Sequence, residues 1–258
     1  MSEFRKKRFS ETLEKGLGIL SLFDELNQGF TLTEISRSLG INKTSIYRYL
    51  NTYCKLGYLR KDPQSKLFKL GPQSIALAHS FMMGSDLLDL VKPLIDETYH
   101  QHWVAIDVGL LHNDSIYCIY RKENKDILQF RRIISGKGLH FLSTGKAAMA
   151  FLPDEDQLSL LDRLDLEKKT SKTITTKSKL FEELKRIHKR GYATNCEEYI
   201  PGLLAVGAPL INLYTNQVQG AVSFMGSTAS YTMKSFEKKF AGILVALAKR
   251  ISALLPPS

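Results

Sequence analysis

The chain has 258 residues, 43% of them hydrophobic, which is enough for a buried core in one large domain or two modest ones. Its formal net charge is +10, and residues 1–71 contribute +6 of it, with 13 Lys and Arg against 7 Asp and Glu. Three scattered cysteines exclude a disulfide framework and a zinc site, and the longest apolar run (241–248), far below the roughly 18 residues of a membrane span, excludes a transmembrane protein.

These properties predict a globular protein in a reducing compartment, the cytoplasm, with no secretion signal and no membrane association. Residues 1–9 are interpreted as a basic tail. The compact basic segment favours a polyanionic partner, although an evenly solvated basic surface is an alternative.

A first helix is predicted over residues 10–27, because apolar side chains recur there every three or four positions. Its buried face is predicted to carry Leu13, Leu17, Leu20, Phe23 and Leu26. Gln28 and Gly29 then interrupt the pattern before the next helix begins.

A second helix follows, and its ends are marked by local signals. Thr31 and Glu34 have the spacing of a capping box, Gly40 supplies a left-handed end, and Asn42 can cap the next helix. The inner face is predicted to consist of Leu32, Ile35 and Leu39. Two short helices joined by a tight glycine turn are typical of a helix-turn-helix.

The segment "KTSIYRYLNTYCKL" (43–56) predicts a third helix with two unlike faces. The inner face is predicted to consist of Ile46, Tyr49, Leu50 and Tyr53. The opposite face is polar and suits the major groove of DNA, where Arg48 can pair with guanine. We predict DNA contacts from Lys43, Thr44, Ser45, Tyr47, Arg48 and Asn51. An ordinary amphipathic surface helix is the alternative.

A hairpin is predicted after Gly57, with strands at 58–61 and 66–70 around a turn at 62–65. A lysine-bearing hairpin that follows a helix-turn-helix is typical of a wing that lies against the DNA backbone. Lys61 and Lys66 therefore join the predicted DNA contacts.

The pieces "TLTEISRSLGINKTSIYRYLNTYCKLGYL" and "KLFKLGP" resemble the winged-helix domain of the IclR family of bacterial transcription regulators. The similarity continues in "HFLSTGKAAMAFLP" and in "TITTKSKLFEELKRIHKRGYATNCEEYIPGLLAVGAPL", and covers nearly the full chain. It implies an α+β fold with a winged helix-turn-helix (10–71), a linker helix (72–85) and a GAF-like α/β domain with an antiparallel sheet (86–258). That last domain would bind an effector and assemble a homodimer or a dimer of dimers on a palindromic double-stranded DNA operator.

The residues after the wing fit this organisation. Pro72 suits the first turn of a helix over 72–83, and the β-rich runs "WVAIDVG", "SIYCIYR" and "ILQFRRI" predict an antiparallel sheet. A later helix is expected to stop at Pro153. The last helix is predicted to pack through Phe236, Phe240, Leu244 and Leu247.

An effector site is predicted where small and hydroxyl residues begin a helix at 143, because such a helix start suits a carboxylate. Ser143 serving only as a helix cap is the alternative. We predict a small organic acid in contact with Ser143, Thr144, Gly145, Asn195, Ala205 and Ser223. Asn195 stands where many relatives have aspartate, and Leu204 and Ala205 where the family often has arginine and cysteine. The identity of a relative's effector therefore does not transfer.

No catalytic residue, metal ligand or cofactor is predicted. HExxH, GxSxG and Walker sequences do not occur, Glu197 and Glu198 are sequence neighbours rather than a facing pair, and a lone His140 is more typical of a packed residue than of a metal ligand. We predict a DNA-binding transcriptional regulator that is not an enzyme. The alternatives are an enzyme that acts on a small organic acid and an adaptor that binds nucleic acid without sequence preference.

Overall fold

A computed structural model describes residues 9–24, 27–84, 86–125, 127, 130 and 135–255. These residues form two compact units that divide after Gly84. The predicted basic tail (1–9) lies almost entirely outside the described residues, and so does most of the predicted strand "ILQFRRI" (127–133).

The first unit is a winged helix-turn-helix followed by one further helix. Its elements are α1 (Glu11–Leu20), α2 (Leu32–Leu39), α3 (Lys43–Leu56), β1 (Leu59–Lys61), β2 (Phe68–Leu70) and α4 (Gln73–Met83). β1 and β2 pair antiparallel. The buried core consists of Ile19, Ile35, Ile46, Leu50, Leu59 and Phe68.

Local signals fix the ends of α2 and α3 as the sequence predicts. Thr31 Oγ1 accepts a hydrogen bond from the backbone N of Glu34 (3.3 Å), and Glu34 Oε2 accepts one from the backbone N of Thr31 (2.7 Å). Gly40 and Gly57 end the two helices in the left-handed conformation, with φ of 65° and 80°. Asn42 caps α3 through a bond from the Ser45 amide (2.9 Å).

The prediction for the first helix was wrong in its length and, at Leu13 and Leu17, in its buried face. Leu20 and Phe23 pack against the core as predicted, and Leu26 lies outside the described residues. α1 ends at Leu20 instead of continuing to residue 27. Leu13 and Leu17 are 60% and 51% exposed, and the buried residues are Gly16 and Ile19. The buried face is shifted because Gly16 has no side chain and lets two tyrosine rings of α3 approach the helix closely.

The second unit is built around one six-stranded antiparallel sheet. Its elements are α5 (Asp86–His102), β3 (Ala105–His112), β4 (Ser115–Lys122), β5 (Ser135–Lys137), α6 (Ser143–Met149), α7 (Asp154–Arg163), α8 (Lys177–Arg190), β6 (Ala193–Cys196), β7 (Leu203–Ile211), β8 (Val218–Ser227) and α9 (Met233–Ser252). The strand order is β5-β4-β3-β8-β7-β6, so β3 and β8 form the centre of the sheet.

Helices cover both faces of this sheet. α5 and α9 pack on one face, where the predicted stripe of α9 is buried: Phe236, Phe240, Leu244 and Leu247. α6, α7 and α8 form a second apolar cluster with residues of the other face. Side chains alternate along β8, so that Val222 and Phe224 join α9 while Ala221 and Met225 belong to clusters on the α6 side.

α6 lies very close to the sheet and is shorter than the sequence predicts. A Cβ at Gly207 of β7 would lie 2.5 Å from the carbonyl oxygen of Ser143, so only glycine allows this approach. The helix ends at Met149 rather than at Pro153. The Met149 carbonyl at this end accepts hydrogen bonds from Gln157 Nε2 (2.8 Å) and from the backbone N of Leu152 (3.3 Å). None of the helices in the described ranges has the length and apolar content of a membrane span.

Candidate DNA-binding and effector sites

The polar face of α3 is available to a partner. Five of its six predicted DNA-contact residues are exposed and Ser45 is half-buried; the exposed residues are Lys43, Thr44, Tyr47, Arg48 and Asn51. The opposite face is packed in the core, with Ile46 and Leu50 fully buried. Among the described residues no carboxylate pairs with Lys43 or Arg48, so both cations can meet phosphate or base edges.

The wing is a short hairpin held by its turn. Asp62 Oδ1 accepts hydrogen bonds from the backbone N of Gln64 (3.0 Å) and of Ser65 (2.8 Å). These bonds, together with a lesser effect of the Lys69 charge, lower the pKa of the Asp62 carboxyl. Lys66 is exposed beside the turn with φ of 60°, and the ammonium of exposed Lys61 lies 5.3 Å from the ring centroid of Phe68. Both predicted wing lysines are therefore presented at the surface.

A small internal cavity lies in the second unit between the start of α6 and the sheet. Its volume is about 40 Å³. The lining residues are Asp107, Arg121, Leu142, Ser143, Thr144, Asn195, Tyr199, Leu203, Ala205, Ser223 and Met225. Five of the six residues predicted for the effector site thus meet at one cavity, although they belong to four separate elements.

The remaining predicted residue, Gly145, does not line this cavity. It packs on the backbone of Leu139, whose carbonyl oxygen would lie 2.4 Å from a Cβ at Gly145. Ser143 is the first residue of α6, while Leu142 occupies the N-cap position without a side-chain cap. Leu204 is buried in the cluster on the α9 side, on the opposite face of the sheet from Ala205. Of the three departures from the family pattern, Asn195 and Ala205 line the cavity and Leu204 does not.

Asn195 stabilises the cavity wall. Its side-chain Nδ2 donates to the Phe141 carbonyl, and its Oδ1 accepts from the backbone N of Glu198 (3.0 Å). Tyr199 stacks on Phe141 with 5.1 Å between ring centroids. This side of the cavity is therefore held by stacked rings and a hydrogen-bonded amide.

Sequence reasoning missed the charged pair in this cavity. Arg121 Nε donates to Asp107 Oδ1 (2.8 Å), and Arg121 Nη2 donates to Asp107 Oδ2 (2.7 Å). Burial lowers the pKa of Arg121, but the hydrogen bonds and charge of Asp107 outweigh it and raise the pKa above the usual value. The only sequence signal was an acid and a base in consecutive β-rich runs, "WVAIDVG" and "SIYCIYR".

A second ion pair is buried behind the cavity. Lys146 of α6 is 1% exposed, and its Nζ lies 2.6 Å from each carboxylate oxygen of Glu198. His140 is fully buried nearby, and its Nε2 lies 3.0 Å from the Glu167 carbonyl oxygen, which fixes Nε2 as the donor. Burial lowers the pKa of His140, and the charge of Lys146 lowers it further. Both groups stabilise the fold around α6.

A larger groove of about 390 Å³ lies between α7 and α8, away from the predicted effector residues. Leu158, Phe181 and Leu184 form much of its apolar lining, and Lys185 and His188 stand at its edge. Lys185 lies 4.3 Å from the ring centroid of Phe181. Within the part of the chain that the structure describes, no cluster of His, Cys, Asp and Glu is arranged to hold a metal ion.

Comparison with known families gives two matches that together span most of the chain. Residues 12–63 match the IclR helix-turn-helix domain, and residues 79–253 match the bacterial transcriptional regulator IclR C-terminal domain. Among curated proteins, the HTH-type transcriptional regulator BhcR of Paracoccus denitrificans is 29% identical over 217 residues, which cover 84% of this chain and 77% of BhcR.

Solved structures share the fold. An IclR family transcriptional regulator from Brucella abortus superposes with a TM-score of 0.82 at 20% identity, covering 99% of this chain and 96% of that one. An IclR homologue from Microbacterium hydrocarbonoxydans, solved in complex with 4-hydroxybenzoate, superposes with a TM-score of 0.69 at 17% identity over 94% of this chain and 98% of that one.

Proposed function

This chain belongs to the IclR family of DNA-binding bacterial transcriptional regulators, and from that membership we propose that it acts in the cytoplasm on a palindromic operator. The observation that carries the proposal is the exposed face of α3 beside a lysine-bearing wing, where Lys43 and Arg48 pair with no carboxylate of the described ranges. One recognition helix covers only a few base pairs, so two copies related by symmetry are needed for useful specificity.

Self-association as a homodimer or a dimer of dimers is supported by α4. This helix has no buried residue, and it exposes several large apolar side chains: Ile75 (71%), Leu77 (57%), Phe81 (57%) and Met83 (71%). The apolar stripe of α9 does not add to this surface, because it is buried in the core of its own unit. An exposed apolar helix face of this kind marks an interaction surface.

We propose that the effector is a small organic acid that binds in the cavity beside α6. The hydroxyls of Ser143, Thr144 and Ser223 would hold its polar groups, and Leu203, Ala205 and Met225 would contact its apolar body. A related fold that binds 4-hydroxybenzoate supports this class of ligand. The cavity has room for only about one to three water molecules, so binding requires it to widen.

The test is operator binding by the full chain in the presence of small organic acids first selected by thermal shift. Ser143→Trp fills the cavity and is expected to abolish the response to an active acid while operator affinity is kept, because DNA binding belongs to the other unit. Leu158→Trp, which fills the larger groove instead, is the matched control and is expected to respond normally. A normal response of Ser143→Trp, or loss of the response in Leu158→Trp alone, would place the acid elsewhere.

We propose that the acid is bound and released unchanged. The relatives named above are transcriptional regulators, which supports binding rather than turnover. Prolonged incubation of an active acid with the protein, followed by quantification of the acid, is expected to recover all of it. Depletion of the acid in proportion to protein concentration would instead favour an enzyme.

A further inference from the structure

The charged pair of the cavity stands in a row of side chains that crosses the sheet. Asp107 of β3 is opposite Arg121 of β4 on one side and opposite Ser223 of β8 on the other. Ser223 is in turn opposite Gly207 of β7, where the start of α6 lies on the sheet. Directly opposed residues share a face of the sheet, so the ion pair and the Ser223 hydroxyl lie side by side on the cavity floor.

This ion pair is partly shielded from water and bidentate. The side chains of Arg121 and Asp107 are 18% and 13% exposed, and two parallel N–H···O bonds join them. Two parallel bonds of this type give a guanidinium and a carboxylate both strength and a fixed geometry. The guanidinium of Arg121 therefore lines the cavity as a fork of two N–H donors, and this fork already binds one carboxylate.

An acidic ligand on the cavity floor would be attracted by Arg121 and repelled by Asp107. Arg121 is the only cation among the described residues that line the cavity, and its fork is occupied by Asp107. A second carboxylate placed beside Asp107 would be repelled by the like charge. The ligand avoids the repulsion by taking the place of the Asp107 carboxylate on the Arg121 guanidinium.

We propose that Arg121 recognises the carboxylate of the effector and that Asp107 is a built-in competitor which the effector displaces. The exchange conserves the number of charge-assisted hydrogen bonds to Arg121, while the displaced Asp107 carboxylate loses two and must turn toward water, a cost that lowers the affinity for every acid. A neutral analogue cannot displace Asp107, which makes the pair a specificity determinant for acids over amides. This inference rests on the proposed function, because it assigns the recognition chemistry of that same cavity.

Benzoate and its neutral analogue benzamide are the probes, and their affinities for the full chain are measured by calorimetry. Asp107→Asn removes the competing charge and is expected to raise the affinity for benzoate about tenfold relative to benzamide. Arg121→Gln removes the cation and leaves the Asp107 charge, so it is expected to reverse the preference, with benzoate bound more weakly than benzamide. Should Arg121→Gln fail to fold, the double variant Asp107→Asn/Arg121→Gln, which removes both charges of this pair, is expected to bring the two affinities close to equality.

Asp96→Asn is the matched control. It removes the carboxylate of another ion pair on β4, Lys122 with Asp96 (2.8 Å), which does not line the cavity, and it is expected to leave the benzoate preference unchanged. An unchanged preference in Asp107→Asn, or no saturable binding of benzoate to it, overturns the proposal.

Operator binding separates this proposal from the proposed function. Acids that release or strengthen the operator complex equally in the native chain and in Arg121→Gln would overturn the role of Arg121 and leave the regulator intact. Benzoate recognition that depends on Arg121, with no acid affecting operator binding, would instead support the recognition site and contradict the effector role.

Discussion

Arg48 and Lys66 carry the same charge but occupy different places in the DNA-binding unit. Arg48 is on the exposed face of α3, where we expect a guanidinium to bond base edges, and Lys66 is on the wing, where we expect an ammonium to bind phosphate. We expect Arg48→Ala to cost about 1–3 kcal/mol at one position of each half-site and to relax specificity there. We expect Lys66→Ala to weaken binding to all duplexes alike.

Quantitative binding to an operator and to single-base variants, over a range of salt concentrations, distinguishes these two effects. Lys66→Ala should also reduce by about one the slope of the logarithm of the binding constant against the logarithm of the salt concentration, because one phosphate contact is lost. If both substitutions weaken every duplex equally, Arg48 does not read a base.

The burial of His140 is expected to make the free energy of unfolding depend on pH. Its pKa in the folded protein is lowered from 6.5, mainly by burial. Burying neutral His140 carries no protonation cost in free energy of unfolding above pH 6.5, where the histidine of the unfolded chain is also neutral. Below that pH, stability is lost as pH falls through the lowered pKa of the folded state. We expect unfolding by urea to show a smaller loss of stability below pH 6.5 in His140→Gln, which keeps a donor for the Glu167 carbonyl.

The control for His140 is His112→Gln at an exposed hairpin tip. That variant should retain the pH dependence of the native chain. An identical pH dependence in His140→Gln and the native chain would show that His140 does not titrate on unfolding.

The exposed face of α3 was predictable because helical periodicity alone separates its residues from those of the core. The cavity was only partly predictable. Ser143 and Ser223 are recognisable in the sequence as hydroxyls beside a helix start and in an apolar strand. Asp107 and Arg121 are not, because only the register of β3 with β4 places them opposite each other. That register depends on long-range pairing, which a single sequence does not specify.

At the scale of elements, the approach of α6 to β7 depends on Gly207. A methyl group there would lie 2.5 Å from the Ser143 carbonyl oxygen and would push the helix away from the sheet. We expect Gly207→Ala to lower the free energy of unfolding by about 1–3 kcal/mol and to weaken ligand binding in the cavity. Chemical denaturation and calorimetry measure these two effects.

Gly242 of α9 is the matched control, because no atom lies within 4 Å of a Cβ placed there. Gly242→Ala should stabilise the protein by about 0.5–1 kcal/mol, since alanine favours a helix over glycine. Equal effects of the two alanines would mean that the close contact of α6 with β7 is unimportant.

Elements with local end signals were predicted well, and elements that end through distant contacts were not. Capping residues and left-handed glycines mark α2 and α3 within the sequence itself. α1 and α6 were predicted too long, because apolar residues continue past their ends. The end of α6 is instead satisfied by side chains of α7 and α8, as in the bond from His188 Nδ1 to the Ala150 carbonyl (2.8 Å).

At the scale of the whole molecule, α4 is expected to join two chains. Leu77 and Phe81 are one helical turn apart and each 57% exposed, so Leu77→Asp/Phe81→Asp places two charges on the proposed contact surface. We expect this variant to sediment as a smaller species and to lose most of its operator affinity, because two half-sites are no longer bound together. Leu213→Asp, at another exposed leucine, should change neither property.

If the variant remains fully assembled and binds the operator as tightly as the native chain, α4 is not part of the interface between chains. A variant that dissociates but keeps its operator affinity would show that one winged helix suffices.

If the chain reads DNA sequence through paired recognition helices, selection from a random duplex library with the full chain will recover a symmetric site. We predict enrichment of an inverted repeat whose half-sites lie about one helical turn, 10–10.5 bp, or a multiple of it apart, and the loss of that enrichment in Arg48→Ala. Recovery of unrelated duplexes, with affinity that depends on salt but not on sequence, would contradict it and favour a non-specific nucleic-acid-binding protein.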